Sequence, residues 1–112
     1  MKNILDIYGT PADPALPEQF DQILSGPSGL RVERIVSCGQ VTPPGEWYDQ
    51  DWDEWVLVLE GEARLAFADG TETPLHRGDT AFLPAHCRHR VTFTSNPCVW
   101  LAVHCSRLTP EE

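Results

Sequence analysis

From Leu30 onward the chain consists of short apolar runs, which turn-forming residues separate at intervals of about 8 to 12 positions. Glycine, proline, asparagine and aspartate occupy the intervals, and Asp69 followed by Gly70 strongly indicates a hairpin turn. Many short strands at regular spacing are typical of a sandwich or a barrel, so the pattern predicts an all-β domain. The predicted strands are LRVERIVSC, DEWVLVLE, EARLAFA, TETPLH, TAFLP, HRVTFT and CVWLAVHC.

Two of these strands indicate which side chains face the interior. In HRVTFT, alternation places His89, Val91 and Phe93 on one face, so a histidine is predicted to point inward. In DEWVLVLE, Glu54 shares a face with two valines, and the opposite face is also apolar. Because both faces need cover, we expect the barrel interior on one side and the N-terminal arm or a partner subunit on the other.

The first residues of the chain differ in character from the rest. Prolines interrupt this segment and favour an irregular surface arm. Further on, LPEQFDQILSG places its apolar residues on one helical face, and Pro17 suits a first turn. We therefore predict a short helix at about residues 17 to 25. It belongs to an arm of residues 1–29, which precedes a barrel of residues 30–112 in one structural domain.

The charge balance excludes two classes of partner. The 112 residues include 17 acidic and 8 basic side chains, a formal net charge of -9 that repels nucleic acid and anionic membranes. No apolar run approaches membrane-spanning length, and the first residues lack the pattern of a secretory signal, so we expect a cytoplasmic protein. The four cysteines form no CxxC pair and are expected to be reduced.

Two spaced motifs occupy the middle of the chain. Glu54 is followed by six residues and a glycine, and Gly78 is followed by five residues, Pro84, four residues and His89. These spacings resemble the two sequence motifs of the cupins, and the resemblance extends over about residues 30–105. The chain is most similar to small single-domain bacterial cupins of the conserved-barrel type. The resemblance implies an antiparallel jelly-roll β-barrel.

In that family, two histidines and a glutamate of the first motif and one histidine of the second bind a metal. Only Glu54 and His89 match here, because a four-residue gap before Glu54 places Trp47 and Asp49 at the two histidine positions. The resemblance thus implies a divalent metal site for Zn, Mn, Fe or Ni inside the barrel. Its predicted ligands are Asp49, Glu54 and His89, with an extra ligand from His86 or His104.

Two classes of function remain open for such a barrel. In the first, Glu54 and His89 are catalytic in a metal-dependent isomerase, lyase or dioxygenase, and the substrate pocket contains Trp47, Tyr48 and Gln50. In the second, the pocket binds or senses a small carbohydrate-like ligand without metal or turnover, because Trp47 can stack on such a molecule. Both hypotheses predict a small-molecule partner and a homodimer. A third alternative, a purely structural dimer, predicts no pocket of ligand size.

Overall fold

The computed structural model describes residues 3–9 and 12–111, and it contains eight β-strands and no helix among them. The described part therefore has no helix that could cross a membrane. The strands form two antiparallel sheets, in the orders β1-β2-β8-β3-β6 and β5-β4-β7, and the predicted all-β jelly roll is confirmed. Their bounds are β1 Gln19–Ser25, β2 Arg31–Ser37, β3 Asp53–Glu60, β4 Ala63–Phe67, β5 Glu72–Leu75, β6 Thr80–Leu83, β7 His89–Thr94 and β8 Cys98–Cys105.

The two sheets pack over a core to which both contribute. Val56 and Val58 of β3 and Trp100 of β8 extend from the larger sheet, and Leu65 of β4 extends from the smaller one; all are at most 4% exposed. Each fully buried side chain of this kind stabilises the fold by roughly 1.5–3 kcal/mol. Because side chains alternate along β3, Glu54 shares this inward face and is only 7% exposed.

The predicted helix at residues 17 to 25 is wrong, because β1 occupies this segment. β1 pairs antiparallel with β2, with one register irregularity between Gln22 and Leu24. Such an irregularity disturbs the alternation of side chains, and Phe20, Ile23 and Leu24 are all about half exposed. The apolar spacing alone suits a helix, but hydrogen bonding to a strand further along the chain determines the structure.

Strand β7 confirms the inward histidine and corrects the prediction for the end of the same strand. His89 is 5% exposed, as alternation predicts. The pairing of β7 with β4 then changes register between Arg64 and Leu65. As a result, Phe93 is 45% exposed and Thr94 is buried, the reverse of the predicted faces.

Gly61 lies in the tight connection between β3 and β4. Its φ of +84° is in the left-handed region, and a Cβ atom there would clash with Ser95 Oγ and lie 2.5 Å from the Pro97 carbonyl oxygen. Ser95 Oγ is held in place, since it accepts from the Glu62 backbone N–H (2.8 Å) and donates to the Pro97 carbonyl oxygen (2.9 Å). Both conformation and space therefore require glycine at this position.

We expect Gly61→Ala to lower the free energy of unfolding by about 2–4 kcal/mol, because it adds a clash to the strain of a positive φ. Gly70→Ala is the matched control: Gly70 has a φ of +93°, and no atom lies within 4 Å of its Cβ position. The control carries conformational strain alone and should cost about 1–2 kcal/mol. Urea denaturation measures both losses, and equal losses would contradict the crowding at Gly61.

Candidate functional site

The barrel interior contains a cavity with a volume of about 130 Å³. Pockets for drug-sized ligands usually measure about 300–1,000 Å³, so this cavity suits a much smaller molecule. Its apolar lining includes Val56, Leu65 and Trp100 of the core. Its polar lining consists of Glu18, Glu33, Tyr48, Gln50, Glu54, His89 and His104.

Glu54 reaches the cavity from the inward face of β3. Gln50, in the segment before β3, donates from its side-chain amide to Glu54 Oε1 at 3.0 Å. The backbone of Gln50 is fixed in turn, because its carbonyl oxygen accepts from the His86 backbone N–H at 2.7 Å. Glu54 Oε2 lies 3.7 Å from His104 Nε2 on the neighbouring strand β8. The carboxylate is thus held by an uncharged amide.

His89 is the first residue of β7 and is fixed on two sides. Its ring stacks on Tyr48 with the centroids 5.4 Å apart, and two backbone hydrogen bonds join the same residues. His89 Nδ1 lies 2.8 Å from the Cys87 carbonyl oxygen, which can only accept, so Nδ1 carries a proton. Within the described ranges, Nε2 has no hydrogen-bond partner, although the residue is 5% exposed and lines the cavity. The ring therefore offers a free nitrogen to the cavity.

His104 lies between one aromatic neighbour, Trp52, and one acidic neighbour, Glu33. The Trp52 indole N–H donates to His104 Nδ1 at 2.9 Å, and His104 Nε2 lies 2.9 Å from Glu33 Oε1. An indole nitrogen can only donate, so Nδ1 must be unprotonated and the proton must be on Nε2. His104 is therefore a neutral imidazole that donates to Glu33. The guanidinium of Arg31 lies over the Trp52 ring, 5.2 Å from its centroid.

Glu18 and Tyr48 are both shifted toward their uncharged forms. Burial raises the pKa of the Glu18 carboxyl, and the hydrogen bond that it accepts from the Ser37 hydroxyl opposes this rise. Ser37 Oγ also accepts from the Trp100 indole N–H at 3.1 Å. Burial raises the pKa of the Tyr48 phenol, and nearby carboxylates, including Glu18 and Glu54, raise it further. Tyr48 therefore acts as a neutral hydroxyl.

Three residues predicted for the site lie outside the lining of the cavity: Trp47, Asp49 and His86. Trp47 packs beneath two arginines, since the guanidinium carbons of Arg88 and Arg90 lie 5.5 and 5.8 Å from its ring centroid. Asp49 Oδ1 lies 2.9 Å from His86 Nδ1, and both side chains are about half exposed or more. These residues thus form surface contacts.

Tyr48 and Gln50 are the inward residues that precede Glu54. The cupin motif permits three or four residues between its second histidine and the glutamate. A gap of four places Trp47 and Asp49 at the histidine positions, but the structure corresponds to a gap of three, because Tyr48 and Gln50 line the cavity with Glu54 and His89. The family's four ligand positions are therefore occupied by a phenol, an amide, a carboxylate and an imidazole.

This set does not fit a divalent metal. The amide of Gln50 directs its NH₂ group to Glu54, and Tyr48 has a raised pKa, which disfavours a phenolate ligand. Only Glu54 and His89 are common ligands of such metals. Across residues 3–9 and 12–111, no group of three or more His, Cys, Asp or Glu side chains is arranged to hold a metal ion. Of the ligands predicted from the resemblance, Glu54, His89 and His104 line the cavity, whereas Asp49 and His86 do not.

Two acids of the cavity, Glu18 and Glu33, are absent from the predicted site. Glu33 had a signal, because alternation in RVERIVS places it on the same face as Ile35, which also lines the cavity. No sequence signal pointed to Glu18, since the predicted helix included it in a first turn. Its place in the cavity follows only from the pairing of β1 with β2.

A comparison with protein families matches the cupin domain to residues 36–104. The chain therefore belongs to the cupins. The match begins at the end of β2 and extends into β8, so it includes Tyr48, Gln50, Glu54 and His89. A comparison with curated proteins gave no match.

Solved structures similar to this chain support its assignment to the cupins. A protein of Ralstonia eutropha JMP134, provisionally named mannose-6-phosphate isomerase, is 41% identical over 96% of this chain and 98% of its own, with a TM-score of 0.83. A chain from the structures of the DMSP lyases RdDddP and RnDddQII is 26% identical over 77% of this chain and 46% of its own, with a TM-score of 0.62. The protein TT1209 of Thermus thermophilus is 20% identical over 96% and 98% of the two chains, with a TM-score of 0.74, and shows the fold alone.

The surface pair of His86 and Asp49 generates a pH-dependent prediction. The hydrogen bond to Asp49 raises the pKa of His86, and the charges of Asp49 and Asp51 raise it further, while desolvation lowers it. We expect Asp49→Asn to lower this pKa, as followed by NMR titration, and Asp51→Asn to lower it less.

The same pair makes stability depend on pH. An unfolded histidine has a pKa of about 6.5, so the pair of His86 and Asp49 stabilises the fold below that pH. This contribution is lost as the pH rises through the raised pKa. An unchanged His86 pKa in Asp49→Asn would contradict the pairing.

Proposed function

We propose that this cupin binds or senses a small molecule in its barrel cavity without a metal ion. The observation that carries the proposal is the free Nε2 of His89, in a residue that is 5% exposed and lines the cavity. Among the described residues, only Arg90 Nε is a fully buried side-chain atom without a partner, so Nε2 of His89 is open to the cavity and available to a ligand group. A concave site with a few convergent polar groups is the usual form of a small-molecule site.

The groups around that nitrogen are held in place before a ligand arrives. Gln50 is bonded to Glu54, His89 to the Cys87 carbonyl oxygen, and the His89 ring is stacked on Tyr48. Fixed groups lose little conformational entropy when a ligand binds, and this favours affinity. The donor set, rather than a metal, therefore supplies the binding interactions in this proposal.

A sugar phosphate, as in the name of the Ralstonia eutropha protein, is not the ligand that we propose for this chain. Phosphate sites are usually built from arginine, lysine or helix N-termini. Here Glu18, Glu33 and Glu54 line the cavity, and no lysine or arginine of the described part does so. A phosphate dianion would therefore meet like charges.

Proton transfer to or from the bound molecule is a second candidate function, which the state of His89 favours. With Nδ1 protonated, Nε2 of the neutral ring is a base directed at the cavity. Glu54 lies in the same cavity and could act as its partner. Loss of turnover with retained ligand binding in His89→Gln would identify catalysis, whereas a change in affinity alone would identify binding.

We also propose that the chain forms a homodimer through β1. This strand is at the edge of the larger sheet among the described residues, and its apolar side chains Ile23 and Leu24 are about half exposed. Edges of this kind pair readily with a second copy. Sedimentation velocity should show twice the chain mass of 12.5 kDa, and a monomeric mass would contradict the proposal.

The binding proposal is tested by NMR of ¹⁵N-labelled protein with a set of small polar metabolites, each measured with and without EDTA. We expect at least one compound to shift the signals of His89 and the Trp100 indole, with the same Kd in EDTA. His89→Gln should weaken that compound about tenfold, the equivalent of one hydrogen bond of about 1.4 kcal/mol.

His76→Gln is the matched control, because the His76 side chain is 63% exposed and lies outside the cavity. Its Kd should equal that of the wild type. Elemental analysis of the same samples should show less than one metal ion per chain, with equal content in a Glu54→Ala, His89→Ala double variant. Loss of binding in EDTA, or one metal per chain that the double variant loses, would contradict a metal-free site.

A further inference from the structure

The cavity contains three carboxyl groups and little to balance their charge. Their hydrogen-bond donors are all uncharged: a hydroxyl, an imidazole and an amide. Glu18 accepts from Ser37, Glu33 from His104 and Glu54 from Gln50.

The histidines cannot neutralise these acids. His104 is held neutral by the Trp52 indole, which occupies its Nδ1 as a donor. His89 can gain one proton at Nε2 and so contribute one positive charge at most. No guanidinium or ammonium group lines the cavity in the part of the chain that the structure describes. Glu18 is shifted toward its uncharged form, so Glu33 and Glu54 against one possible cation leave at least one negative charge.

Uncompensated charge in such a place is unfavourable. Glu54 is 7% exposed, and the Glu33 side chain is 15% exposed. Buried carboxylates are normally paired with a cation, or else their pKa rises and they become neutral. Burial does raise the pKa of Glu18. Glu18 is thereby brought toward its uncharged form, whereas Glu33 and Glu54 remain as the acids that a small positively charged occupant would balance.

Aromatic rings and a free acceptor complete this environment. The buried ring of Trp100 and the partly exposed rings of Phe20 and Tyr48 line the same cavity as the acids. The negative face of an aromatic ring attracts ammonium groups. The unpartnered Nε2 of His89 can accept a hydrogen bond from an N–H or O–H group of the same occupant.

We infer that the ligand of this cavity is a small organic cation, an amine or quaternary ammonium compound of a few carbon atoms. The inference rests on the proposed function, since it names the ligand class for the same cavity. The acids supply the countercharge, the rings surround the alkyl groups, and the volume of about 130 Å³ limits the size. Sugars and phosphate esters lack the charge that the acids require.

The test is isothermal titration calorimetry with choline and with 3,3-dimethyl-1-butanol, which has the same shape but a carbon in place of the charged nitrogen. n-Propylammonium, mannose and mannose 6-phosphate complete the set. We expect choline or n-propylammonium to bind, and the neutral isostere of choline to bind at least tenfold more weakly than the better cation. Tenfold corresponds to about 1.4 kcal/mol.

Two variants and a control locate the effect. Glu33→Gln and Glu54→Gln should each weaken the better cation about tenfold or more, because each removes one charge and keeps the shape of the side chain. Glu62→Gln should leave the affinity unchanged, since Glu62 is exposed and outside the cavity. Thermal unfolding of each variant checks that the fold is retained, and the comparison of isosteres on the wild type needs no variant.

The outcomes separate the two proposals. Binding of mannose, mannose 6-phosphate or the neutral isostere as tightly as either cation would overturn the cation inference and leave the binding function intact. Cation binding that survives both glutamine substitutions would also overturn it. If no compound of this set or of the metabolite set binds, the proposed function fails together with the inference.

Discussion

The electrostatics of the barrel interior depend on the hydrogen bond from the Trp52 indole to His104 Nδ1. Because an indole can only donate, this bond assigns the proton of His104 to Nε2 and keeps the ring neutral. A protonated ring would place a cation 2.9 Å from Glu33 and 3.7 Å from Glu54. The neutral ring supplies one hydrogen bond to Glu33 and no charge. One aromatic residue just before β3 thus removes one possible positive charge from the cavity.

The sheet register brings these groups together. Glu54 of β3 is directly opposite His104 of β8, so their side chains share the inward face. Glu33 of β2 is opposite Ala102, two residues before His104 on the same strand, which places its side chain diagonal to the imidazole. Three adjacent strands therefore build the acidic wall. The opposite wall comes from β7, where His89 meets Tyr48.

Much of this arrangement can be predicted where the signal is local. Alternation within a single strand was enough to predict the inward position of His89 and to place Glu54 on one face with Val56 and Val58. Counting three residues rather than four before Glu54 shifts the alternation by one position and exchanges the side chains that face inward. Tyr48 and Gln50 therefore line the cavity, and Trp47 and Asp49 do not. The acid wall could not be predicted as a unit, because it needs the register of β2, β8 and β3, which are distant in sequence. The segment of β1 was mistaken for a helix for the same reason, since its partner strand decides its structure.

The central claim is that the cavity holds acids whose histidine neighbour is neutral. It is tested most directly by the long-range ¹H–¹⁵N spectrum of the histidine rings at neutral pH. The structure predicts that His104 has an unprotonated Nδ1 and a protonated Nε2, and that Trp52→Phe, which removes the donor, alters this state. Two protonated nitrogens in the wild-type ring would show an imidazolium beside Glu33, and the account of an acid-rich cavity in need of a cation would be contradicted.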